Sequence, residues 1–340
     1  MQNHLITLIF FISCVAIQAA DNLSIFDPMD VFELEWATDP QVSQDGEKIV
    51  YVRRSNDIMR DDQISHLWQV STNGDDHRIL TSGLNNPKSP RWSPNNNKLA
   101  FIADHEDKDQ IYMRWMDTGE TGVISKLNES PSGLTWSPDG KWLAFTMSVK
   151  AENEPIAEPR DIPDGASWAD EPIVIKNTQY QYDGSGIVEP AHQHIFIMPA
   201  DGGTAFQLTD GNFNHYGSLA WTSDSKEIYF SAYRSNDWEV VSDEADIYAV
   251  NIDTKELKQI TSEPGAERSP SISPNGKTLA FIKEERRPLA YTPNRIAIVN
   301  VDGGKSRLLT KNLDGDANDI IWADDNRSIY FAYDERGIRK

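Results

Sequence analysis

The stretch that decides the fold is Trp136–Phe145, WSPDGKWLAF, because related ten-residue stretches recur along the chain. The other five copies begin at Val42, Trp92, Trp221, Ile272 and Trp322, so successive starts lie 50, 44, 85, 51 and 50 residues apart. Each copy begins with a large apolar residue, turns through a Ser-Pro-Asp-Gly-like segment, and is apolar again at its eighth and tenth positions. Self-similarity at this period is typical of repeat architectures.

Each decamer is predicted to be a hairpin turn followed by a strand. Pro138 sets the backbone angle of the first turn corner, Asp139 can hydrogen-bond its own backbone, and Gly140 supplies a positive φ. Leu143 and Phe145 then lie on one face of a strand because side chains alternate with a period of two.

A second hairpin follows at a similar distance after the decamers: an apolar strand, a turn built on Asn, Asp or Gly, and an exit ending in Leu-Thr or Ile-Thr in most copies. Four strands in roughly 50 residues, repeated, predict an all-β fold of β-propeller blades. An array of unrelated hairpins in a β-sandwich is the alternative, but it would not require one decamer at near-constant spacing. The many Trp residues in or near these segments are interpreted as packing between blades.

The repeats divide the chain into a lead-in and an incomplete propeller of about five full blades plus the start of a sixth. We expect the propeller over 42–340, with blade starts near 42, 92, 136, 221, 272 and 322. A lead-in over 21–41 contains a short helix capped by Asp27 and begun by Pro28. A long insertion rich in Pro and acidic residues, about 149–190, interrupts the third blade and contains a hairpin turning at Asp183-Gly184.

The first 20 residues resemble a secretory signal. Leu5–Ile17 is an uncharged run of 13 residues, too short to span a membrane, and small residues follow it. We therefore expect an exported, periplasmic or extracellular protein with no membrane insertion after cleavage. Lipidation at Cys14, the single cysteine, stays open. Cleavage near Asp21 would leave a mature chain without disulfides or thiol chemistry.

The charge balance argues against nucleic acid as a partner. The chain carries 53 acidic and 32 basic residues, a net charge of −21, which repels polyanions and anionic membranes. No Gly-x-Ser-x-Gly nucleophile motif occurs, so no catalytic residue is assigned. His192 and His194 could share a strand face but are interpreted as rim residues, and neither a metal site nor a cofactor is expected.

The entry segment DPMDVFELEWATDPQVSQDGEKIVYV, the WSPDG-type repeats and the stretch from Ile173 to Gly211 together carry a resemblance. They resemble the N-terminal propeller of the prolyl oligopeptidase family, in its acylaminoacyl-peptidase and dipeptidyl-aminopeptidase-like branch, over about 25–340. The repeat by itself is also shared with TolB-type (PD40-like) propellers.

The resemblance implies a propeller that gates access of short peptides to an α/β-hydrolase domain with a Ser-Asp-His triad. Such a domain, and at least one of the family's usual seven blades, is absent from these 340 residues, so we expect the chain alone to be inactive. In dipeptidyl members a glutamate pair on a propeller insertion holds the substrate amine. Glu284-Glu285 follows a decamer strand instead, so Glu154, Glu158 and Glu171 in the insertion are the candidates for substrate binding.

The function expected is therefore the substrate-gating part of an exported serine peptidase. The alternative is a stand-alone TolB-like propeller that acts as a protein-binding scaffold in the cell envelope. An incomplete ring would expose blade edges, including Trp322, Ile329 and Phe331, and would favour self-association.

Overall fold

The computed structural model describes residues 27–151, 161–169, 174–178, 180–184, 186–188, 190–241, 243–286 and 291–340. Six sheets follow one another along this part of the chain, five of them four-stranded and the last three-stranded. They form the six blades of an all-β propeller, which confirms the predicted fold class of about five full blades plus the start of a sixth.

The strands are antiparallel within each blade, and an additional two-stranded hairpin lies in the insertion of blade 3. Blades 1 and 2 comprise β1 (Glu35–Val42), β2 (Lys48–Asp57), β3 (Asp62–Ser71), β4 (Arg78–Ile79), β5 (Asn85–Trp92), β6 (Lys98–His105), β7 (Lys108–Trp115) and β8 (Thr121–Val123). Blade 3 comprises β9 (Ser132–Trp136), β10 (Trp142–Lys150), then the insertion hairpin β11 (Gln181–Tyr182) and β12 (Gly186–Ile187), then β13 (Ala191–Pro199) and β14 (Phe206–Gln207).

The second half of the propeller continues the same order without a comparable insertion. Blades 4 and 5 comprise β15 (His215–Trp221), β16 (Glu227–Ala232), β17 (Asp246–Asn251), β18 (Leu257–Gln259), β19 (Ala266–Ile272), β20 (Thr278–Glu284), β21 (Arg295–Asn300) and β22 (Arg307–Leu308). Blade 6 comprises β23 (Ala317–Trp322), β24 (Ile329–Glu335) and β25 (Ile338–Arg339).

A 3-10 helix over Pro28–Glu33 precedes blade 1, where the sequence predicts a short capped helix. The Asp27 carboxylate accepts a hydrogen bond from the Met29 N–H at 2.9 Å, and the Asp30 carboxylate accepts one from the Asp27 N–H at 2.8 Å. Two otherwise unpaired donors at the helix start are thereby satisfied.

Each decamer joins the first and second strands of its blade. Its first residue is the last residue of the first strand, so the predicted starts at 42, 92, 136, 221, 272 and 322 mark where these strands end. In blade 3 the Ser137 hydroxyl donates to the Asp139 carboxylate at 2.6 Å and accepts from the Trp142 N–H at 2.9 Å, while Gly140 has φ +71°. The turn chemistry predicted from the sequence therefore fixes the register of the two strands.

The fifth decamer position alternates between two residue types. Blades 1, 3 and 5 have glycine there, and blades 2, 4 and 6 have Asn96, Ser225 and Asn326, all at positive φ. The side-chain oxygens of these three residues accept backbone N–H groups from the turn of the preceding blade, at 2.7, 3.1 and 2.6 Å. Blades 1–2, 3–4 and 5–6 are thus linked in pairs at this end of the molecule.

The decamer tryptophans pack between blades, as predicted. Trp92, Trp136 and Trp322 donate their indole N–H to the carbonyls of Gln41, Arg91 and Ser271 in the preceding blade, at 3.0, 2.9 and 3.0 Å. Trp221 is equally buried, but among the described residues no acceptor reaches its indole nitrogen.

The core consists of apolar layers between neighbouring blades rather than of one central cluster. Phe101, Phe145, Phe230 and Phe281, each from the second strand of a blade, are fully buried in these layers. Burial of one such side chain contributes about 2–3 kcal/mol. Stability is therefore distributed over the interfaces between successive blades.

The ring is open in the part of the chain that the structure describes, because no strand of blade 6 contacts a strand of blade 1. The expectation that Trp322, Ile329 and Phe331 are the exposed edge is wrong. Ile329 and Phe331 pack on the cluster shared with blade 5, and Trp322 bonds to that blade. Since side chains alternate along a strand, the neighbouring residues Ile321 and Tyr330 are the exposed ones.

Candidate functional site at the insertion end of the propeller

We call one end of the propeller the insertion end. It holds the loops that join the second strand of each blade to the third, and those that lead from one blade to the next. The long insertion is one of these loops, because it joins β10 to β13. Ala151 N–H donates to the Pro190 carbonyl at 2.9 Å, which extends the ladder of these two strands into the base of the insertion.

A recurring hydroxyl fixes this end of blades 1 to 5. Threonine or serine after the fourth strand accepts a hydrogen bond, at 2.8–3.0 Å, from the N–H of the first deeply buried residue of the third strand. The donor–acceptor pairs are Leu67–Thr81, Ile111–Ser125, Ile195–Thr209, Ile247–Thr261 and Ile296–Thr310. The Leu-Thr and Ile-Thr exits recognised in the sequence therefore cap the third strand of the blade, and the residue preceding each donor occupies an equivalent place in blades 1 to 5.

In blade 3 that residue is His194, and it meets His215 of blade 4. The ring centroids are 5.0 Å apart, and the two residues are 4% and 0% exposed. Burial, together with the neighbouring His192, lowers the pKa of His194 to about 4. Burial also lowers the pKa of His215 to about 4. Both imidazoles are therefore neutral at physiological pH.

Hydrogen bonds fix the tautomer of His215. Its Nδ1 bonds to the Gln193 carbonyl at 3.0 Å and so must carry the proton, which leaves Nε2 to accept from Arg234. Arg234 also donates to the Asp210 carbonyl at 3.1 Å, and its guanidinium lies 4.9 Å from the centre of the Phe213 ring. A positive charge is thus held directly against a neutral histidine.

The third histidine of this region connects the site to the insertion. His192 is buried and packs edge-on against Trp238, which lies in the loop joining β16 to β17, with ring centroids 5.4 Å apart. In the same loop the Glu239 carboxylate accepts from the N–H and hydroxyl of Thr178 in the insertion, at 3.2 and 3.3 Å. The insertion is therefore attached to blade 4 as well as to its own blade.

The next interface, between blades 4 and 5, holds acidic groups in place of histidines. Glu267, the equivalent of His215, is fully buried, and its carboxylate contacts the Lys283 ammonium at 2.8 Å. Lys283 also pairs with Glu263, whose other oxygen accepts from the Ser306 N–H at 3.0 Å. Against the effect of burial, the bonds from Lys283 and Ser306 lower the pKa of Glu263 to about 2.

Asp246 is the blade 4 counterpart of His194. Burial, together with the charges of Glu267 and Glu244, raises the pKa of Asp246 to about 7. Gln259 donates a hydrogen bond to it at 3.0 Å. The backbones meet here as well, because the Glu267 N–H donates to the Ala245 carbonyl at 2.7 Å.

The sequence-predicted candidates for substrate binding, Glu154, Glu158 and Glu171, lie outside the described residues. The predicted hairpin of the insertion is confirmed, since Asp183 and Gly184 separate β11 from β12. Of the Glu284-Glu285 pair, Glu284 pairs with Arg268 within blade 5 at 3.3 Å.

No group of three or more histidine, cysteine, aspartate or glutamate residues in the described ranges is arranged to hold a metal ion. His192 and His194 are buried interface residues, not the rim residues that the sequence suggested. The same ranges contain no helix with the length and apolarity needed to cross a membrane. Three residues of this region, His215, Asp246 and Glu267, were not predicted from the sequence, because no motif marks them.

Residues 167–286 match the family described as the dipeptidyl peptidase IV N-terminal region. This match spans part of the insertion, all of blade 4 and both buried ionisable clusters. The chain is related to the N-terminal propeller region of the prolyl oligopeptidase family.

Two relatives of this chain are named as peptidases. An uncharacterized peptidase, YuxL, of Bacillus subtilis is 32% identical over 207 residues, which cover 60% of this chain and 30% of that protein. Dipeptidyl-peptidase 5 of Porphyromonas gingivalis is 23% identical over 303 residues, 85% of this chain and 43% of that protein. The chain thus spans less than half the length of these two relatives.

Solved structures show the same fold. Acylaminoacyl peptidase of Pyrococcus horikoshii superposes with a TM-score of 0.67 at 14% identity, over 91% of this chain and 44% of that one.

A relative of a different kind is TolB of Alcanivorax borkumensis, which is 30% identical over 104 residues, 30% of this chain and 23% of that protein. The chain is therefore also similar to TolB-like propellers.

Proposed function

We propose that this propeller is the substrate-gating part of an exported serine peptidase of the prolyl oligopeptidase family, acting on short peptides. The observation that carries the proposal is the family match over 167–286, because it covers part of the insertion and the whole of blade 4, to which the insertion is attached. The relatives whose names describe a peptidase are more than twice as long as the matched region, which leaves room for a catalytic domain.

Catalysis is assigned in this proposal to an α/β-hydrolase domain outside these 340 residues. Acyl transfer needs a nucleophile, a base and oxyanion donors held together. The contribution of the propeller is steric and electrostatic: the insertion at one end, on a chain with net charge −21, would admit unstructured peptides only. The signal-like segment before Asp21 supports the proposed export.

The first test is the reading frame beyond Lys340, in which a Gly-x-Ser-x-Gly motif is expected within about 150–200 residues. The longer product should hydrolyse acylaminoacyl or dipeptidyl chromogenic substrates and react with a fluorophosphonate probe. The 340-residue chain, as the matched control, should give only the buffer rate. Turnover by the purified 340-residue chain would contradict the assignment of catalysis elsewhere.

Gating and export need separate measurements. The longer product should cleave peptides of about five residues but leave a folded protein intact, and equal rates on both would contradict gating. Mass spectrometry of secreted material should find an N-terminus near Asp21, whereas an intact Met1 would contradict export.

A protein-binding scaffold in the cell envelope is the second candidate, supported by the TolB relative. A reading frame that ends at Lys340 without hydrolase sequence would favour it. Isolation of a single envelope protein on the immobilised chain would then be the expected result.

A further inference from the structure

Ionisable residues at equivalent positions flank blade 4 on both sides: His194, His215 and Glu267 are buried, and Asp246 is half-buried. In blade 4 His215 pairs with Ala232 across the first and second strands, and in blade 5 Glu267 pairs with Lys283 in the same way. Ala232 and Lys283 each lie four residues after the residue that pairs with the first residue of the decamer. His194, on the third strand of blade 3, lies next to His215, and Asp246, on the third strand of blade 4, lies near Glu267. The same place in successive interfaces therefore holds two bases on one side of blade 4 and two acids on the other.

The contact with blade 3 requires neutral histidines. His215 uses its protonated Nδ1 toward Gln193 and its bare Nε2 toward Arg234. A second proton would remove that acceptor and set a cation against the guanidinium. The other ionisable groups facing this contact are His192 and Asp210, with Glu239 beyond His192.

The contact with blade 5 favours a neutral Asp246. Glu267 and Glu244 both raise its pKa, and the nearby cation, Lys283, is already shared by Glu267 and Glu263. Burial raises the pKa of Tyr248 to about 12, while the charge of Asp246 raises this pKa and that of Arg234 lowers it. Tyr248 therefore stays neutral between pH 4 and pH 7. Glu244 is tied to the Gly265 N–H at 2.9 Å and to Arg286.

We propose that blade 4 is held by two pH-responsive contacts of opposite sign, so that acidification loosens its junction with blade 3 and tightens its junction with blade 5. This inference does not depend on the proposed peptidase function. Because Glu239 of blade 4 holds Thr178 of the insertion, loosening of the junction with blade 3 also releases this contact.

Both contacts respond within the same pH window. In the closed junction the histidines bind a proton only near pH 4, whereas in an opened junction they bind it near 6.5, so closure weakens as pH falls from 6.5 to 4. Asp246 binds a proton near pH 7 when closed and near 3.8 when opened, so closure of its junction weakens as pH rises from 3.8 to 7. One unit of pKa shift corresponds to about tenfold in the opening equilibrium.

Hydrogen exchange measured by mass spectrometry at pH 7.0 and pH 4.5 tests the proposal, with rates divided by the intrinsic exchange rate at each pH. Protection of β13 and β15 should fall at least about tenfold on acidification, while protection of β17 and β19 should rise. A change of the same sign and size at both junctions would overturn the proposal, and so would no change at either.

Substitutions test which side chains cause the pH response of each junction. Asp246→Asn mimics the protonated acid, so protection of β17 and β19 at pH 7.0 should approach its wild-type value at pH 4.5. His194→Gln combined with His215→Gln should remove the acid sensitivity of β13 and β15. His77→Gln, at an exposed histidine of blade 1, is the matched control and should behave as wild type. Persistence of the wild-type response in Asp246→Asn would overturn the proposal even if the double variant does not fold.

Discussion

Trp136 and Trp221 occupy the same decamer position and are similarly buried, yet only one has a hydrogen bond, which allows its contribution to be isolated. Replacing Trp136 by Phe leaves the Arg91 carbonyl without its donor at 2.9 Å, a loss of about 1–3 kcal/mol beyond the change in size. Replacing Trp221 by Phe removes a buried N–H that has no acceptor among the described residues, which relieves a comparable desolvation penalty. Trp136→Phe should therefore cost about 2–6 kcal/mol more than Trp221→Phe.

Urea unfolding followed by far-ultraviolet circular dichroism measures this difference without relying on the altered fluorophores. The midpoint for Trp136→Phe should lie clearly below that for Trp221→Phe, at similar slopes. Equal midpoints, or a larger loss for Trp221→Phe, would refute the view that the indole-to-carbonyl bond joins these blades.

Three further outcomes follow from single sites. Gly265→Ala should lower the free energy of unfolding by more than about 3 kcal/mol, because the new Cβ would lie 2.1 Å from the Glu284 carbonyl oxygen. Gly304→Ala, also at positive φ but with open space around it, should lower it by about 1 kcal/mol, and thermal unfolding compares the two. Lys283→Met should destabilise by about 3–5 kcal/mol at pH 7 by leaving a buried carboxylate unpaired, and by less at pH 4, where that carboxylate can take up a proton; urea midpoints that do not depend on pH would contradict this. The chain should self-associate through its open edge, and Tyr330→Lys should raise the monomer fraction in sedimentation velocity, while an unchanged distribution would exclude this edge.

The blade pattern was predictable because its determinants are local. Turn residues such as Pro138, Asp139 and Gly140 act within a few positions, and strand alternation follows from the two-residue period. The six-fold repetition then made the architecture visible in a single sequence. The short entry helix and the hairpin at Asp183 were predictable for the same reason.

Two aspects depended on neighbouring blades and could not be read from local sequence. The exposed face of blade 6 was assigned to Ile329 and Phe331, but which face of a strand is covered depends on which side the preceding blade lies. The pairing of His194 with His215, and of Asp246 with Glu267, joins residues 21 apart on different blades. Only the register of both sheets brings these residues together.

The alternation of glycine with Asn96, Ser225 and Asn326 has a mechanical consequence. Under a pulling force applied at the chain ends, a propeller of identical joints would release one blade at a time. Here the turn of each odd-numbered blade has an additional hydrogen bond to the even-numbered blade that follows it, whereas the other junctions have glycine at that position. Successive junctions would therefore open at unequal forces, so the blades would not be released in a uniform series.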